Sequence, residues 1–186
     1  WNDRTNFMGT GLAQKTLGVI GAGSIGSETI KLSKPFFKNI LAYDPFKSEK
    51  QLAEIGAIKV DLIELACKSD FVVILCNLDS NTKGMIQSNF FSNMKKSAYI
   101  FNLSRGPVIN ESHLENALET KEIAGAGLDV YTREPSVPTE LQAMEQVVLL
   151  PHMGSGTRET RRAMGRCAMA NLQAHFAKQP LPNAIG

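Results

Sequence analysis

The stretch Leu17-Gly18-Val19-Ile20-Gly21-Ala22-Gly23-Ser24-Ile25-Gly26 decides the fold that this sequence predicts. A short apolar run, typical of a buried strand, leads into the pattern GxGxxG, and residues 24–34 follow as a helix. Gly21 permits a tight turn, Gly23 lets the backbone approach a pyrophosphate, and Gly26 lets the helix pack closely on the strand. The N–H groups and the partial positive charge at the start of this helix favour phosphate.

An acidic residue stands at dinucleotide-binding distance from this turn. Asp44 ends a second predicted strand and follows Gly26 by 18 positions. A carboxylate there accepts hydrogen bonds from ribose hydroxyls and repels a 2′-phosphate, which favours NAD over NADP. In a second interpretation, the glycines only make a tight turn and Asp44 begins an Asp-Pro turn with Pro45.

Apolar runs alternate with helix-period segments along the rest of the chain. Strands are predicted at residues 17–20, 40–43, 58–60, 71–75, 99–103, 126–130 and 147–150, and helices at residues 24–34, 48–55, 62–68, after Asn110, and at 157–177. This alternation predicts an α/β fold, a single doubly wound domain whose parallel sheet is covered on both faces.

Composition excludes several classes of protein. Of the 186 residues, 43% are hydrophobic and 20% charged, which is typical of a soluble globular domain. The net charge of +2 comes without a basic run, so we expect no nucleic-acid partner. No apolar stretch is long enough for a membrane span, and the first residues lack the layout of a signal peptide. Because the chain lacks an initiator Met, we expect it to begin within a larger protein.

The cysteines indicate a reducing compartment. Cys67, Cys76 and Cys167 are odd in number and show no CxxC spacing, so neither a disulfide framework nor a zinc site is expected. We therefore expect a cytoplasmic protein that holds no metal.

Three polar residues follow the later predicted strands, at the edge where doubly wound sheets bind ligands. Arg105 has the planar fork that matches a carboxylate. His152 can give or take a proton near neutral pH. Glu134 can orient the imidazole and favour its charged form. Separately, Arg105 is equally well a solvated surface charge and Glu134 a loop charge, but their joint placement favours a catalytic role.

Four stretches, in this order, resemble the D-2-hydroxyacid dehydrogenase family. They are Asn102-Leu103-Ser104-Arg105-Gly106-Pro107-Val108-Ile109, Ile123-Ala124-Gly125-Ala126-Gly127-Leu128-Asp129-Val130-Tyr131, Glu134-Pro135 and Leu150-Pro151-His152. The resemblance implies a Rossmann fold that binds NAD. It implies Arg105 as the carboxylate ligand, His152 as the acid and base, and Glu134 as the residue that orients His152.

The same resemblance implies contacts with the cofactor at the pyrophosphate, the adenosine ribose and the nicotinamide. The residues concerned are Gly21, Ala22, Gly23, Ser24, Ile25, Gly26, Asp44, Cys76, Asn77, Ser104, Asp129, His152 and Gly154. At Asn77 this sequence departs from the many relatives that have Pro.

The resemblance also divides the chain. Residues 1–14 correspond to the remnant of an interdomain helix and linker, residues 15–179 to the NAD-binding domain, and residues 180–186 to a return towards a substrate domain that this chain lacks. The implied partners are that missing domain, a small 2-oxo or 2-hydroxy acid, and a second subunit in a homodimer. Because half of the site is missing, we expect the fragment to bind NAD and to turn over weakly or not at all.

Other functions of the same fold stay open. Some segments resemble glyoxylate and hydroxypyruvate reductases and others phosphoglycerate dehydrogenase. An NAD-sensing corepressor is the alternative from another functional class. Formate dehydrogenase of the same superfamily is disfavoured, because it carries Gln where this chain has Glu134.

Overall fold

The computed structural model describes residues 9–184, in which strands and helices alternate as predicted. The strands are β1 (Thr16–Ile20), β2 (Asn39–Tyr43), β3 (Ile58–Lys59), β4 (Phe71–Ile74), β5 (Tyr99–Asn102), β6 (Gly125–Leu128) and β7 (Val147–Leu149). The helices are α1 (Ser24–Ser33), α2 (Glu49–Ile55), α3 (Leu62–Lys68), α4 (Ser88–Ser92), α5 (Glu111–Glu119), α6 (Thr139–Gln142) and α7 (Arg158–Phe176), with a 3-10 turn at Gly106–Val108.

All seven strands form one parallel sheet in the order β3-β2-β1-β4-β5-β6-β7. The chain builds outward from β1 to β3, returns to the other side of β1, and continues outward to β7. The strand order therefore reverses between β1 and β4, and a crevice opens at the carboxyl ends of strands at such a point. The predicted doubly wound α/β fold is confirmed.

Both faces of the sheet carry a hydrophobic core. Val72 and Ile74 belong to one cluster of buried residues, whereas Val73, between them in β4, belongs to a second cluster. Successive strand residues point to opposite faces, so each face is packed by apolar side chains. This arrangement explains why the central strands are continuous apolar runs.

Side chains and glycine set the helix ends near the sheet. Ser48 caps α2 in a capping box with Gln51, and Gly56 ends that helix in the left-handed region at φ +93°. Asp61 caps α3, and Asn110 caps α5 as predicted.

The chain divides into two compact units, and the sheet belongs entirely to the first, which ends at His152. In the second unit, Oγ1 of Thr157 accepts the amide of Thr160 and caps α7. Asn183 returns to the same helix by a 3.3 Å bond from its amide to Oδ1 of Asn171. None of the described helices has the length and apolarity that crossing a bilayer requires.

The proposed boundaries at residues 15 and 179 stay predictions, and the expected fragment of an interdomain helix lies outside the described residues. The helices α4 and α6 and the 3-10 turn were not predicted. They have three to five residues each, too few to show a helical period.

Candidate functional site

Gly21 forms the tight turn that the sequence predicts, whereas Gly26 makes a different contact from the one predicted. Gly21 has φ +90°, and a Cβ there would lie 2.6 Å from the backbone of Cys76 in the loop after β4. A Cβ on Gly26 would collide with the carbonyl oxygen of Gly21, so this glycine lets the helix close on the turn itself rather than on the strand. A Cβ on Gly23 would meet nothing within 4 Å, because that side of the turn is open.

This open side lies at the start of α1. Gly23 is the N-cap residue, no side chain caps the helix, and its first turn holds no acidic residue. The N–H groups of Ser24 and Ile25 precede the first internal bond, which runs from Ser27 to Gly23. The turn therefore presents amide donors and a partial positive charge with room for an anion.

Asp44 is buried against this turn. Its Oδ2 accepts the amide of Ala22 at 2.8 Å, and its Oδ1 accepts the amide of Phe46 at 2.9 Å. The second bond is the turn geometry of the alternative interpretation, so Asp44 does begin the turn through Pro45. The first bond ties the acid to the glycine turn, and the same carboxylate lines the adjoining cleft. The two interpretations of Asp44 are therefore compatible.

A cleft of about 580 Å³ opens at the carboxyl ends of β1, β2 and β4. Of the predicted cofactor residues, Gly21, Gly23, Asp44, Cys76 and Asn77 line it. The predicted residues Ala22, Ser24, Ile25 and Gly26 do not. Ala22 and Gly26 are buried beneath the turn, whereas the side chains of Ser24 and Ile25 are exposed on α1.

Cys76 is a protonated thiol in this cleft. Burial raises its pKa to about 11, and the nearby charges of Asp79 and Asp44 act in the same direction. A thiolate is needed for nucleophilic chemistry, so Cys76 contributes bulk rather than reactivity. Among residues 9–184, no group of three or more His, Cys, Asp and Glu side chains could hold a metal ion.

The end of β5 holds Arg105 through a buried amide side chain. Oδ1 of Asn102 accepts the amide of Ser104 at 3.1 Å and its hydroxyl at 3.0 Å, while Nδ2 donates to the carbonyl of Arg105 at 3.0 Å. The Arg105 side chain is exposed, and its Nη1 donates to the carbonyl of Ser104 at 2.7 Å. One terminal nitrogen of the guanidinium is thus bonded to the backbone, while the side chain stays exposed to solvent.

Gly106 brings Arg105 against the loop after β6. A Cβ on Gly106 would overlap the carbonyl group of Tyr131 and the amide nitrogen of Thr132. Only a residue without a side chain permits this approach. The Arg105 charge consequently acts on Glu134 and helps to lower its pKa.

Glu134 and His152 form a hydrogen-bonded pair. Nδ1 of His152 lies 2.8 Å from Oε2 of Glu134, and Oε1 of Glu134 accepts the amide of Tyr131 at 3.0 Å. The bond from His152 is the largest cause of a lowered pKa at Glu134, followed by the Tyr131 amide. Because an ionised carboxylate only accepts, Nδ1 carries the proton of this bond and Nε2 is left for proton exchange.

The remaining predicted cofactor residues lie in different parts of the chain. Ser104 and Asp129 are buried at the ends of β5 and β6, where the Asp129 amide donates to the Asn102 carbonyl at 3.1 Å. Gly154 belongs to the second unit, and its contact with cofactor stays a prediction. His113 holds α4, because its Nδ1 accepts the Ser88 amide at 3.2 Å.

Three residues of this region were missed as individual candidates. Asn102 supports the Arg105 backbone, Tyr131 bonds both Glu134 and the segment before His152, and Oε1 of Glu111 accepts the Thr132 amide at 2.6 Å. An asparagine that ends a buried strand is a signal for the first. The partners of the other two are distant in sequence.

Comparisons with known proteins place this arrangement in a family. The pattern of the D-isomer specific 2-hydroxyacid dehydrogenase NAD binding domain matches residues 1–154. The chain is 39% identical to a glyoxylate reductase/hydroxypyruvate reductase of Mus musculus over 96% of its own length and 55% of that protein. It is also 39% identical to a D-3-phosphoglycerate dehydrogenase of Synechocystis, over 86% of this chain and 29% of that one.

A solved structure of a dehydrogenase has the same fold as this chain. The holo form of D-mandelate dehydrogenase from Rhodotorula graminis superposes with a TM-score of 0.89 at 32% identity, over 97% of this chain and 54% of that one. The chain spans about half the length of such relatives. The chain belongs to the D-isomer specific 2-hydroxyacid dehydrogenase family, of which it comprises the Rossmann-fold, NAD-binding domain.

Proposed function

We propose that this chain is the cofactor half of an oxidoreductase that transfers a hydride between NAD(H) and a D-2-hydroxy acid/2-oxo acid pair. The observation that carries the proposal is the 2.8 Å bond between Glu134 and His152. The pair follows β6 and β7 at the same edge of the sheet as the glycine turn, and the charge of Arg105 acts on Glu134, which supports an acid–base role for His152. The family relationship supports the reaction class.

The residues at the switch point fit a dinucleotide. The open side of Gly23 accommodates a pyrophosphate, the start of α1 supplies donors for it, and Asp44 is placed to accept a ribose hydroxyl. A carboxylate there disfavours a 2′-phosphate, so we propose NAD rather than NADP as the preferred cofactor. When bound, the nicotinamide ring supplies or accepts the hydride.

The protein's own residues account for the other requirements of the reaction. Arg105 binds the substrate carboxylate through its two parallel N–H donors. His152 exchanges the proton of the substrate oxygen through Nε2, and Glu134 orients the ring through the bond to Nδ1. Ser104, Asp129 and Gly154 complete the proposed nicotinamide side, while Cys76 and Asn77 line the cleft towards the adenosine.

The parent protein is proposed to carry a separate substrate domain, since the chain covers about half of its relatives. Closure of such a domain excludes water and completes the geometry of catalysis. This chain alone should therefore bind NADH and reduce 2-oxo acids slowly or not at all. We further propose a cytoplasmic homodimer. The reduced state of its three cysteines fits this compartment, and light scattering tests the subunit number.

The test combines binding and turnover. NADH fluorescence should report binding by this chain, and the parent protein should oxidise NADH with glyoxylate, hydroxypyruvate or another 2-oxo acid. His152→Ala in the parent protein should abolish turnover and leave NADH binding nearly unchanged. The matched control is His175→Ala, which removes a histidine of α7. Failure to bind NADH, or full turnover by His152→Ala, would reject the proposal.

A further inference from the structure

The Glu134–His152 pair is poorly restrained by its own surroundings. The side chains of Glu134 and His152 are 35% and 48% exposed, so packing alone does not hold them. His152 also has φ +50°, in the left-handed region that a non-glycine residue adopts only when neighbouring structure holds it. Something else in the first unit must therefore fix the segment that carries the imidazole.

Tyr131 bonds both Glu134 and the segment that carries His152. Its ring is buried, with 6% of the residue exposed. Its amide donates to Oε1 of Glu134 at 3.0 Å, and its hydroxyl donates to the carbonyl of Leu150 at 2.8 Å. Leu150 is two residues before His152, so one rigid residue holds the carboxylate at one end and the histidine segment at the other.

The hydroxyl lies where the strand pairing of β6 and β7 ends. The Leu150 amide still donates to the Leu128 carbonyl at 2.8 Å, and Pro151, which has no N–H, then leaves the sheet. The hydroxyl is 2.8 Å from the Leu150 carbonyl and 3.2 Å from that of Leu128. It thus supplies a donor to the last strand-like carbonyl before the chain turns to His152.

These bonds close a ring of interactions. From the Tyr131 amide the ring passes through the Glu134 carboxylate to His152, back along Pro151 to the Leu150 carbonyl, and through the hydroxyl to Tyr131. In such a ring, loss of one bond frees the others to move. The hydroxyl bond in this ring is partly buried, so water competes with it less than with a bond on the surface.

We propose that Tyr131 is a positioning residue for the Glu134–His152 pair, because its hydroxyl fixes the segment that carries His152 while its amide fixes the Glu134 carboxylate. Its importance for turnover rests on the function proposed above. Its effect on the geometry of the pair does not depend on that function. A test of the geometry and a test of turnover can therefore fail independently.

The experiment compares Tyr131→Phe, which keeps the ring and the backbone amide, with Tyr99→Phe. Tyr99 lies at the opposite end of the sheet, at the start of β5, and is 38% exposed. NMR of this chain should follow the low-field Nδ1–H proton of His152 and the titration of the Glu134 carboxyl carbon. Melting curves and the remaining amide shifts verify that each variant keeps its fold.

Tyr131→Phe should speed exchange of the Nδ1 proton and move the Glu134 titration towards its ordinary range, while Tyr99→Phe should change neither. In the parent enzyme, Tyr131→Phe should lower kcat by about three- to tenfold with little change in KM, the size expected for one hydrogen bond. The acid limb of the pH profile of kcat should also move to higher pH, because the Glu134 titration moves up towards its ordinary range. Unchanged proton exchange and Glu134 titration in a folded Tyr131→Phe chain would overturn the proposal. If the NMR changes occur in a protein without turnover, the positioning role stands and the proposed function fails.

Discussion

The amide of Ala22 donates a 2.8 Å hydrogen bond to Oδ2 of Asp44, so the glycine turn and the acid that follows β2 form one structural unit. Asp44 is buried, with 8% of the residue exposed, and its other oxygen holds the turn at Phe46. Asp44, the residue proposed to select NAD over NADP, therefore also supports the loop that is proposed to bind the pyrophosphate.

Asp44→Ala should weaken NADH binding and relax the discrimination against NADPH. Loss of the carboxylate removes an acceptor for the ribose and the charge that opposes a 2′-phosphate. We expect about a tenfold rise in the Kd for NADH and a loss of about 1–3 kcal/mol in the free energy of unfolding, since the Ala22 amide loses its partner. Fluorescence titration with both cofactors and urea unfolding measure these effects.

Asp61→Ala is the matched control for this prediction. Asp61 also accepts a backbone amide, that of Glu64, but it caps α3 and does not line the cleft. Its loss should lower stability and leave the ratio of the two cofactor affinities unchanged. An unchanged ratio in Asp44→Ala would remove Asp44 from the proposed ribose contact.

Gly106→Ala should disrupt the arrangement of Arg105 and Glu134. The new Cβ would overlap the peptide group between Tyr131 and Thr132, which is backbone and cannot rotate away. We expect a loss of about 1–3 kcal/mol in the free energy of unfolding, as for other overpacked sites, and a loss of turnover in the parent enzyme.

Gly165→Ala provides the comparison for that change. Gly165 lies within α7, and a Cβ there would meet nothing within 4 Å. The same substitution should therefore be neutral or should stabilise the helix by up to about 1 kcal/mol. Equal effects of the two substitutions in thermal and urea unfolding would contradict the close approach at Gly106.

The parts of this molecule that follow from local pattern were predictable from the sequence. The strand–glycine–helix unit, the alternation of elements and the Asn110 cap each depend on residues close together in the chain. The placement of Arg105, Glu134 and His152 at one sheet edge also follows, because parallel strands end at the same edge.

Contacts between distant segments were not predictable in this way. The Tyr131 hydroxyl bonds a carbonyl 19 positions away, and Glu111 bonds an amide 21 positions away. No periodicity encodes either pairing. The predicted strands at residues 71–75, 99–103 and 126–130 end one or two residues earlier, because there the chain leaves the sheet to build the site.

Cys76 should be the slowest of the three cysteines to react with a thiol reagent. Burial raises its pKa from 9.0 to about 11, so at neutral pH it holds about a hundredfold less thiolate than an ordinary cysteine. Cys67 and Cys167 are exposed. Mass spectrometry after timed maleimide labelling gives the three rates.

Because Cys76 lines the proposed cofactor cleft, NADH should slow its labelling further without affecting the other two. Labelling of Cys76 as fast as the exposed cysteines would contradict its burial.

Acid should remove the stabilisation that the Glu134–His152 pair supplies. The bond from His152, the Tyr131 amide and the charge of Arg105 hold the pKa of Glu134 below its ordinary value of 4.5. A carboxyl with a lowered folded-state pKa contributes stability that is complete above the ordinary value and lost as the pH falls through the lowered one. The free energy of unfolding should therefore differ between the unsubstituted chain and Glu134→Gln above pH 4.5, and this difference should shrink as the pH falls below 4.5 through the lowered pKa. Urea unfolding across this window measures it, with Glu54→Gln, at an exposed position of α2, as the control. A difference that stays constant while NMR shows that Glu134 becomes protonated would contradict the dependence of the pair on an ionised Glu134.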